Sequence, residues 1–415
     1  MSKALVFERS LGRFALSKAA AVSGAFSPVR LSPLRLIDQE PPALPTDDWV
    51  RVNPILAGIC GSDLSLIRGE SSRSFEPVVS FPFVPGHEVV GRLDDDPGTR
   101  VVLEPVLHCR VRGAHPLCPS CASGHTGNCE HLAIGHLKPG LQTGFCADTG
   151  GGWSRSFVAH PLQLHQVPSH LSDEEAVMIE PTACAIHAAL SVVNHIGHGA
   201  RVAVLGAGTL GLCMTAALRA YGQTSLLVAA ARYPTQRRLA KDLGADQVVS
   251  SHELARAGRR ARGSIPLAPG EQGSSRKWQA AGFDAVVDCV GSQDSISQAI
   301  SLLRPRGVLG LVGMPSNVRL DLAPLWMREL RMLGCYTYGN EDLGTKQAHT
   351  FDLAMELVSE VGLGRLVSAT YPLERYEEAI EHAMAAGKRG SVKIAFDPRA
   401  RSLKPWKELR SKEER

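Results

Sequence analysis

Arg201-Val202-Ala203-Val204-Leu205 runs directly into Gly206-Ala207-Gly208-Thr209-Leu210-Gly211, and an apolar segment then continues to Tyr221, where Gly222 stops it. This reads as a buried strand, a turn with G-x-G-x-x-G spacing and a helix. Between a strand and a helix each glycine has its own role. Gly206 makes the tight turn, Gly208 lets the backbone approach a pyrophosphate, and Gly211 lets helix pack on strand. The helix begins at Thr209 and Leu210, and its N-terminus offers N–H groups and a positive dipole end to phosphates. The middle of the chain is therefore expected to be a doubly wound parallel sheet of Rossmann type, and the fold class α/β.

Working outward, the next strand is Ser225 to Ala230. At its end a site for NAD usually carries a carboxylate for the adenosine ribose. Here the sequence is Ala231-Arg232-Tyr233, with Arg237 and Arg238 beyond. Arg232, with Arg237 behind it, suits a 2′-phosphate, so NADP is the expected cofactor; if Arg232 faces water, NAD is the alternative. Asp284 to Val290 is a further buried strand, and Val308 to Gly313 ends near the expected nicotinamide, which makes Gly313 a cofactor-site candidate. Residues 252–280 hold six Arg/Lys and two Glu among Gly, Ser and Pro, the composition of a surface insertion.

Upstream, Gly58-Ile59-Cys60-Gly61-Ser62-Asp63 and Pro85-Gly86-His87-Glu88 bring a thiol, an imidazole and a carboxylate into glycine-rich turns. S, N and O donors suit zinc. Ser62 follows Cys60 by two residues, so its hydroxyl is placed for a ligand on the same metal. Glu180 lies in an otherwise apolar run, after a capping box at Ser172 and Glu175. A carboxylate there needs a partner. It is a candidate fourth ligand, or one exchanging with water; the alternative is a first-turn helix charge in solvent.

Cys118-Pro119-Ser120-Cys121 is a C-x2-C pair, Cys129 follows after seven residues, and Cys109 precedes by eight. This spacing predicts a closed structural zinc site. His108, His115, His125 and His131 compete with Cys109 for the fourth position. Residues 134–152 read as a glycine- and threonine-rich insertion, Trp153 as a wall of the substrate site or as core, and Cys146 as a free thiol. Residues 1–57 read as strands broken by proline-rich turns, and Ser10 to Phe26 alternatively as a Ser/Ala-rich transit segment.

The totals agree with this division. A chain of 415 residues with 44% hydrophobic and 21% charged residues can bury a large core in two domains. A net charge of +4 does not favour nucleic acid or membrane as the main partner. No apolar run reaches a bilayer-spanning length. Ten cysteines, four at metal spacing, point to a reducing cytoplasm. The expected layout is a zinc-binding domain over 1–175, a nucleotide-binding domain over 176–326, a return to the first domain over 327–398, and a charged tail over 399–415.

As a set and in order, Gly58 to Asp63, Gly86-His87-Glu88, the cysteine lobe, Glu180-Pro181, the Gly206 to Gly211 turn and the final strand resemble the zinc-containing medium-chain dehydrogenase/reductase family, across residues 1–397. The resemblance implies an irregular, GroES-like β-barrel catalytic domain built from both chain ends, with a Rossmann domain between. It implies catalytic zinc on Cys60, His87, Glu88 and Glu180, as in the polyol, threonine and sugar dehydrogenase branches. It also implies structural zinc on Cys109, Cys118, Cys121 and Cys129, and assembly as a dimer or tetramer. Three departures stand out: six extra residues between Cys109 and Cys118, Ser65 where many members carry a proton-relay histidine, and Ala231 in place of the ribose-binding acid. The expected reaction is hydride transfer between nicotinamide and a secondary alcohol, polyol or sugar, or the corresponding carbonyl, with Ser62 taking the proton. The alternatives are a zinc-independent quinone or enone reductase and a non-catalytic nucleotide-binding protein.

Overall fold

The computed structural model describes residues 2–262, 266–267, 278–279, 282–344 and 346–400. Most of the end of the 252–280 insertion, and the charged tail beyond residue 400, lie outside the described residues.

The chain forms two compact units. The first takes in residues up to Ala122, Cys129–Met178 and the chain from Gly364 on; the second takes in Ser123–Asn128 and Ile179–Leu363.

In the first unit β1 (Ser2–Phe7) pairs antiparallel with β2 (Leu34–Gln39). Helices α1 (Leu11–Ser23) and α2 (Pro28–Leu31) lie between them. The reading of residues 1–57 as strands and turns is corrected here. Leu, Ala, Lys and Arg dominate residues 11–21, and their helix preference outweighs the serines. Ser10 Oγ caps α1 by accepting from Arg13 N, and Gly24 ends it at φ +66°. Ser17 and Ala20 form the buried side of α1, and Phe14 packs on the core.

β3 (Val50–Gly58) is the central strand, followed at once by α3 (Gly61–Ile67). Along one edge β3 pairs with β4 (Val89–Leu93), which pairs with β5 (Arg100–Leu103). The other edge of β3 takes β6 (Phe157–Ala159) at its start. β7 (Leu164–Gln166) closes on β5. The core beneath holds Leu5, Phe7, Phe83, Phe157 and Trp153. Trp153 is fully buried and donates its indole N–H to Gly58 O at 3.2 Å, so it is a core residue. The cysteine lobe carries α4 (Pro119–Ala122), and the Ser172–Glu175 capping box opens α5 (Asp173–Ala176) as expected.

In the second unit α6 (Ile179–Val193) is buried along most of its length. β8 (Arg201–Leu205), α7 (Thr209–Tyr221), β9 (Leu226–Ala230) and β10 (Gln247–Val249) follow. A short antiparallel pair, β11 (Pro266–Leu267) and β12 (Trp278–Gln279), precedes β13 (Phe283–Asp288), β14 (Leu303–Leu311) and β15 (Arg331–Gly334). The main sheet runs β10-β9-β8-β13-β14-β15, and every pair is parallel. The order reverses between β8 and β13, which puts the glycine-rich turn after β8 at the switch point where such sheets bind ligands.

A small hairpin, β16 (Asn340–Asp342) with β17 (Gln347–His349), follows. The chain returns to the first unit at Gly364, later than the expected residue 327. The reason is β15, which adds to the edge of the parallel sheet and keeps residues 327–363 with the nucleotide-binding unit. β18 (Val367–Tyr371) and β19 (Lys393–Phe396) then complete the first sheet; β19 pairs with the end of β3 on the edge it shares with β6.

Candidate functional site

The thiol of Cys60, the imidazole of His87 and the carboxylate of Glu88 lie within 4.8 Å of one another. β3 ends at Gly58, Cys60 caps α3, and His87-Glu88 enters β4, so adjacent strands deliver the donors. His87 and Glu88 are buried and Cys60 is half-buried. Asp63, fully buried, accepts from Cys60 N at 2.9 Å with one oxygen and holds the other 3.8 Å from His87 Nδ1. Burial raises the Asp63 pKa, against the lowering pull of His87. Ser62 is half-buried in the first turn of α3.

Sequence reasoning missed two residues here. Lys393 on β19 is buried, forms an ion pair with Glu88 Oε2 and donates to Ile59 O at 3.1 Å. Its signal was a lysine inside the apolar run Val392 to Phe396, a charge that cannot be buried alone. Gly58 is the second: a Cβ there would lie 2.1 Å from Glu88 Oε2 and 2.7 Å from Lys393 Cε. The glycine leaves room for the ion pair. The donor set of one sulfur, one imidazole nitrogen and one carboxylate oxygen fits a zinc ion.

Glu180, the second residue of α6, belongs to the second unit and is buried; Cys184 Sγ donates to its Oε1 at 3.6 Å. His187, further along α6, bonds Glu341 through Nδ1 at 2.6 Å.

Cys109, Cys118, Cys121 and Cys129 are all buried, with their sulfurs within 4.8 Å of one another. Cys109 and Cys129 sulfurs are 3.6 Å apart. Four sulfurs at tetrahedral corners around zinc stand about 3.8 Å apart, so the set fits that ion. Of the residues that competed for the fourth place, the structure brings Cys109 into the cluster, while His131 Nδ1 lies 3.3 Å from the Cys109 sulfur. Burial would raise the Cys118 thiol, yet the N–H groups of Glu130 and Cys121, each 3.4 Å from its sulfur, bring it down to about 6. Burial pushes Cys129 up to about 11. Cys146 is buried and unbridged, donating to Lys138 O at 3.6 Å.

At the nucleotide turn the three glycines differ. Gly206 has φ +92°. A Cβ on Gly211 would stand 1.9 Å from Gly206 O, so helix–strand packing requires glycine. A Cβ on Gly208 would meet nothing within 4 Å, so its space is open to a ligand. Thr209 and Leu210 follow as the first turn of α7. Gly313 lies against Gly291 beyond β14 and donates its N–H to Asp288 O at 2.9 Å. Past β9, Arg232 is exposed, with its guanidinium 5.5 Å from the Tyr233 ring centre. Arg237 instead braces the turn, because its guanidinium donates to Ala231 O at 3.4 Å and Val248 O at 3.1 Å.

Residues 46–169 match the alcohol dehydrogenase GroES-like domain, and residues 209–360 match the zinc-binding dehydrogenase model. The chain belongs to the zinc-binding dehydrogenase family. Among its relatives in this family, L-idonate 5-dehydrogenase of Vitis vinifera is 27% identical over 366 residues, covering 85% of this chain and 88% of that one. Sorbitol dehydrogenase of Arabidopsis thaliana is 26% identical over 360 residues, covering 84% and 88%. A zinc-binding dehydrogenase structure from Sinorhizobium meliloti 1021, bound to NADP, superposes with a TM-score of 0.64 at 24% identity, covering 96% of this chain and 99% of that one. At that identity the likeness shows a shared fold, GroES-like plus Rossmann.

Proposed function

We propose that this zinc-binding dehydrogenase transfers hydride between a nicotinamide dinucleotide and a secondary alcohol, polyol or sugar, or the corresponding carbonyl. The observation that carries the proposal is the buried group Cys60, His87 and Glu88, whose donor atoms lie within 4.8 Å of one another. The names of the relatives, idonate and sorbitol dehydrogenases, support the polyol class.

In this reading Cys60, His87 and Glu88 hold the catalytic zinc, with Glu180 as fourth donor on chemical grounds, since it is a carboxylate buried in an apolar helix. Bound there, zinc supplies a Lewis acid for the substrate oxygen and the nicotinamide supplies the hydride acceptor or donor. Asp63 orients the His87 ring, and Lys393 balances the Glu88 charge. Ser62, half-buried in the first turn of α3, would relay the substrate proton, accepting it as it passes its own hydroxyl proton on to solvent. Ser65, half-buried in the same helix, stands at the position where the family resemblance would put a relay histidine. Gly206, Gly208, Thr209, Leu210, Gly211 and Gly313 form the dinucleotide cradle. Arg232, exposed after β9, binds a 2′-phosphate, so NADP is preferred over NAD, and Arg237 holds the turn that presents it.

Cys109, Cys118, Cys121 and Cys129 hold a second, structural zinc. No helix among the described residues is long and apolar enough to cross a membrane, and ten unbridged cysteines suit a reducing cytoplasm. Exposed Leu322, Trp326 and Met327 precede the open edge strand β15, features that favour a homo-oligomer, dimer or tetramer.

The test is metal content per purified chain, NADP⁺ and NAD⁺ affinities, and turnover on a polyol panel before and after chelation. Two zincs, tighter NADP⁺ and chelator-sensitive turnover are expected. Full alcohol oxidation by zinc-stripped protein would overturn the mechanism, and equal affinities would remove the role of Arg232. Sedimentation at monomer mass on the same sample would overturn the oligomer.

A further inference from the structure

Arg112 is fully buried, one of the largest buried side chains in the protein. It sits between Cys109 and Cys118, in the segment Arg110 to Leu117. Among the described residues its guanidinium meets backbone carbonyls and no carboxylate. Nε donates to Leu107 O at 3.1 Å and Nη1 to Leu137 O at 3.0 Å. Nη2 is shared among Leu132 O at 2.5 Å, Lys138 O at 2.9 Å and Gly140 O at 3.1 Å.

These acceptors lie on both flanks of the cysteine lobe: Leu107 just before Cys109, and residues 132–140 just after Cys129. One side chain thus ties together the two ends of the loop that carries four thiols. The backbone is shaped around it. Arg112 O accepts from His136 N at 3.0 Å. A Cβ on Gly135, at φ +97°, would stand 2.1 Å from Arg112 O, so that approach requires glycine.

Carbonyls satisfy the N–H groups of a guanidinium and leave its positive charge whole. A buried cation is costly without an opposite charge nearby. Four thiolates around a divalent zinc leave two negative charges in the same lobe. Burial lowers the Arg112 pKa, while Cys146, Cys129, Asp148 and Cys109 pull it back up.

We infer that Arg112 is the brace of the four-cysteine lobe, and that by tying its two flanks together it sets how firmly the lobe retains its metal. Arg112 touches no reacting group and acts through the lobe as a positioning residue. The inference rests on the reading that the four cysteines hold zinc.

The test compares full-length wild type, Arg112→Met and Arg112→Lys. The readouts are zinc per chain, the rate of zinc release to a chromophoric chelator, and the thiolate-to-cobalt absorption of cobalt-loaded protein. Wild type should hold two zincs. Arg112→Met should release one of them roughly tenfold faster or more, as when a metal site loses a supporting partner, and should weaken the four-thiolate cobalt band while the other zinc keeps its rate. Arg112→Lys keeps the charge with fewer donors, so its release rate should fall between the two. Wild-type release from Arg112→Met overturns the inference. If Arg112→Met does not accumulate as folded protein, wild-type release from Arg112→Lys overturns it instead. One zinc per wild-type chain, with no four-thiolate cobalt band, overturns the lobe reading and the inference together.

Discussion

Lys393 and Glu88 form an ion pair with both side chains almost fully out of solvent. Breaking such a pair leaves one charge buried and unbalanced, at a cost of about 3–5 kcal/mol. Lys393→Met is therefore expected to lower unfolding free energy by about that amount in metal-stripped protein, measured by chemical denaturation. With zinc bound, Glu88 keeps an opposite charge, so the loss should be smaller. An equal loss in both states would mean that Glu88 does not reach the metal. The same physics explains Gly58. Its neighbour atoms are the ion pair itself, and a methyl group 2.1 Å from a carboxylate oxygen has nowhere to go.

At the scale of the element, the turn between β8 and α7 separates a glycine that serves packing from one that serves a ligand. Gly208 has φ −76°, a value open to any residue, and an added methyl meets nothing. Gly208→Ala should leave the stability of cofactor-free protein within about 0.5 kcal/mol and weaken NADP⁺ roughly tenfold or more, equivalent to about 1.4 kcal/mol. Gly211→Ala pushes a methyl onto Gly206 O, a backbone atom that cannot rotate away. It should destabilise even the cofactor-free protein, by about 1–3 kcal/mol. Thermal melts with and without NADP⁺, combined with titration, separate the two, and the reverse pattern would sink both assignments.

For the whole molecule, the proposed function puts the dinucleotide in the second unit and the zinc donors, Glu180 apart, in the first, so each ligand should chiefly protect the unit that holds most of its donors. NADP⁺ at about 100 times its dissociation constant stabilises the folded state by about 2.7 kcal/mol. Amide exchange should slow in β8, α7 and β9. Chelation should speed exchange over residues 107–140, and in α3 and β4. Uniform changes along the chain under either treatment would contradict this division. The unbridged cysteines fit the same picture, since four of them sit together at one buried cluster in the first unit.

The chemistry was legible in the sequence because local spacing encodes it. A C-x2-C pair in a short lobe, a Cys beside Ser-Asp in a glycine turn, and three glycines between a strand and a helix each have a local reason, and α7 runs from Thr209 to Tyr221 as the pattern predicts. The helix α1 was also local, but its serines masked a helix-forming composition. Four other features were decided by tertiary structure. Lys393 meets Glu88 across 305 residues of chain, Arg112 gathers carbonyls up to 28 residues away, β15 holds residues 327–363 to the parallel sheet, and Trp153 fills a core. Pattern reading reports what a residue can do with its sequence neighbours. A buried charge and an edge strand are completed by partners that only the folded chain brings within reach, and it is their desolvation and their backbone hydrogen bonds that require those partners.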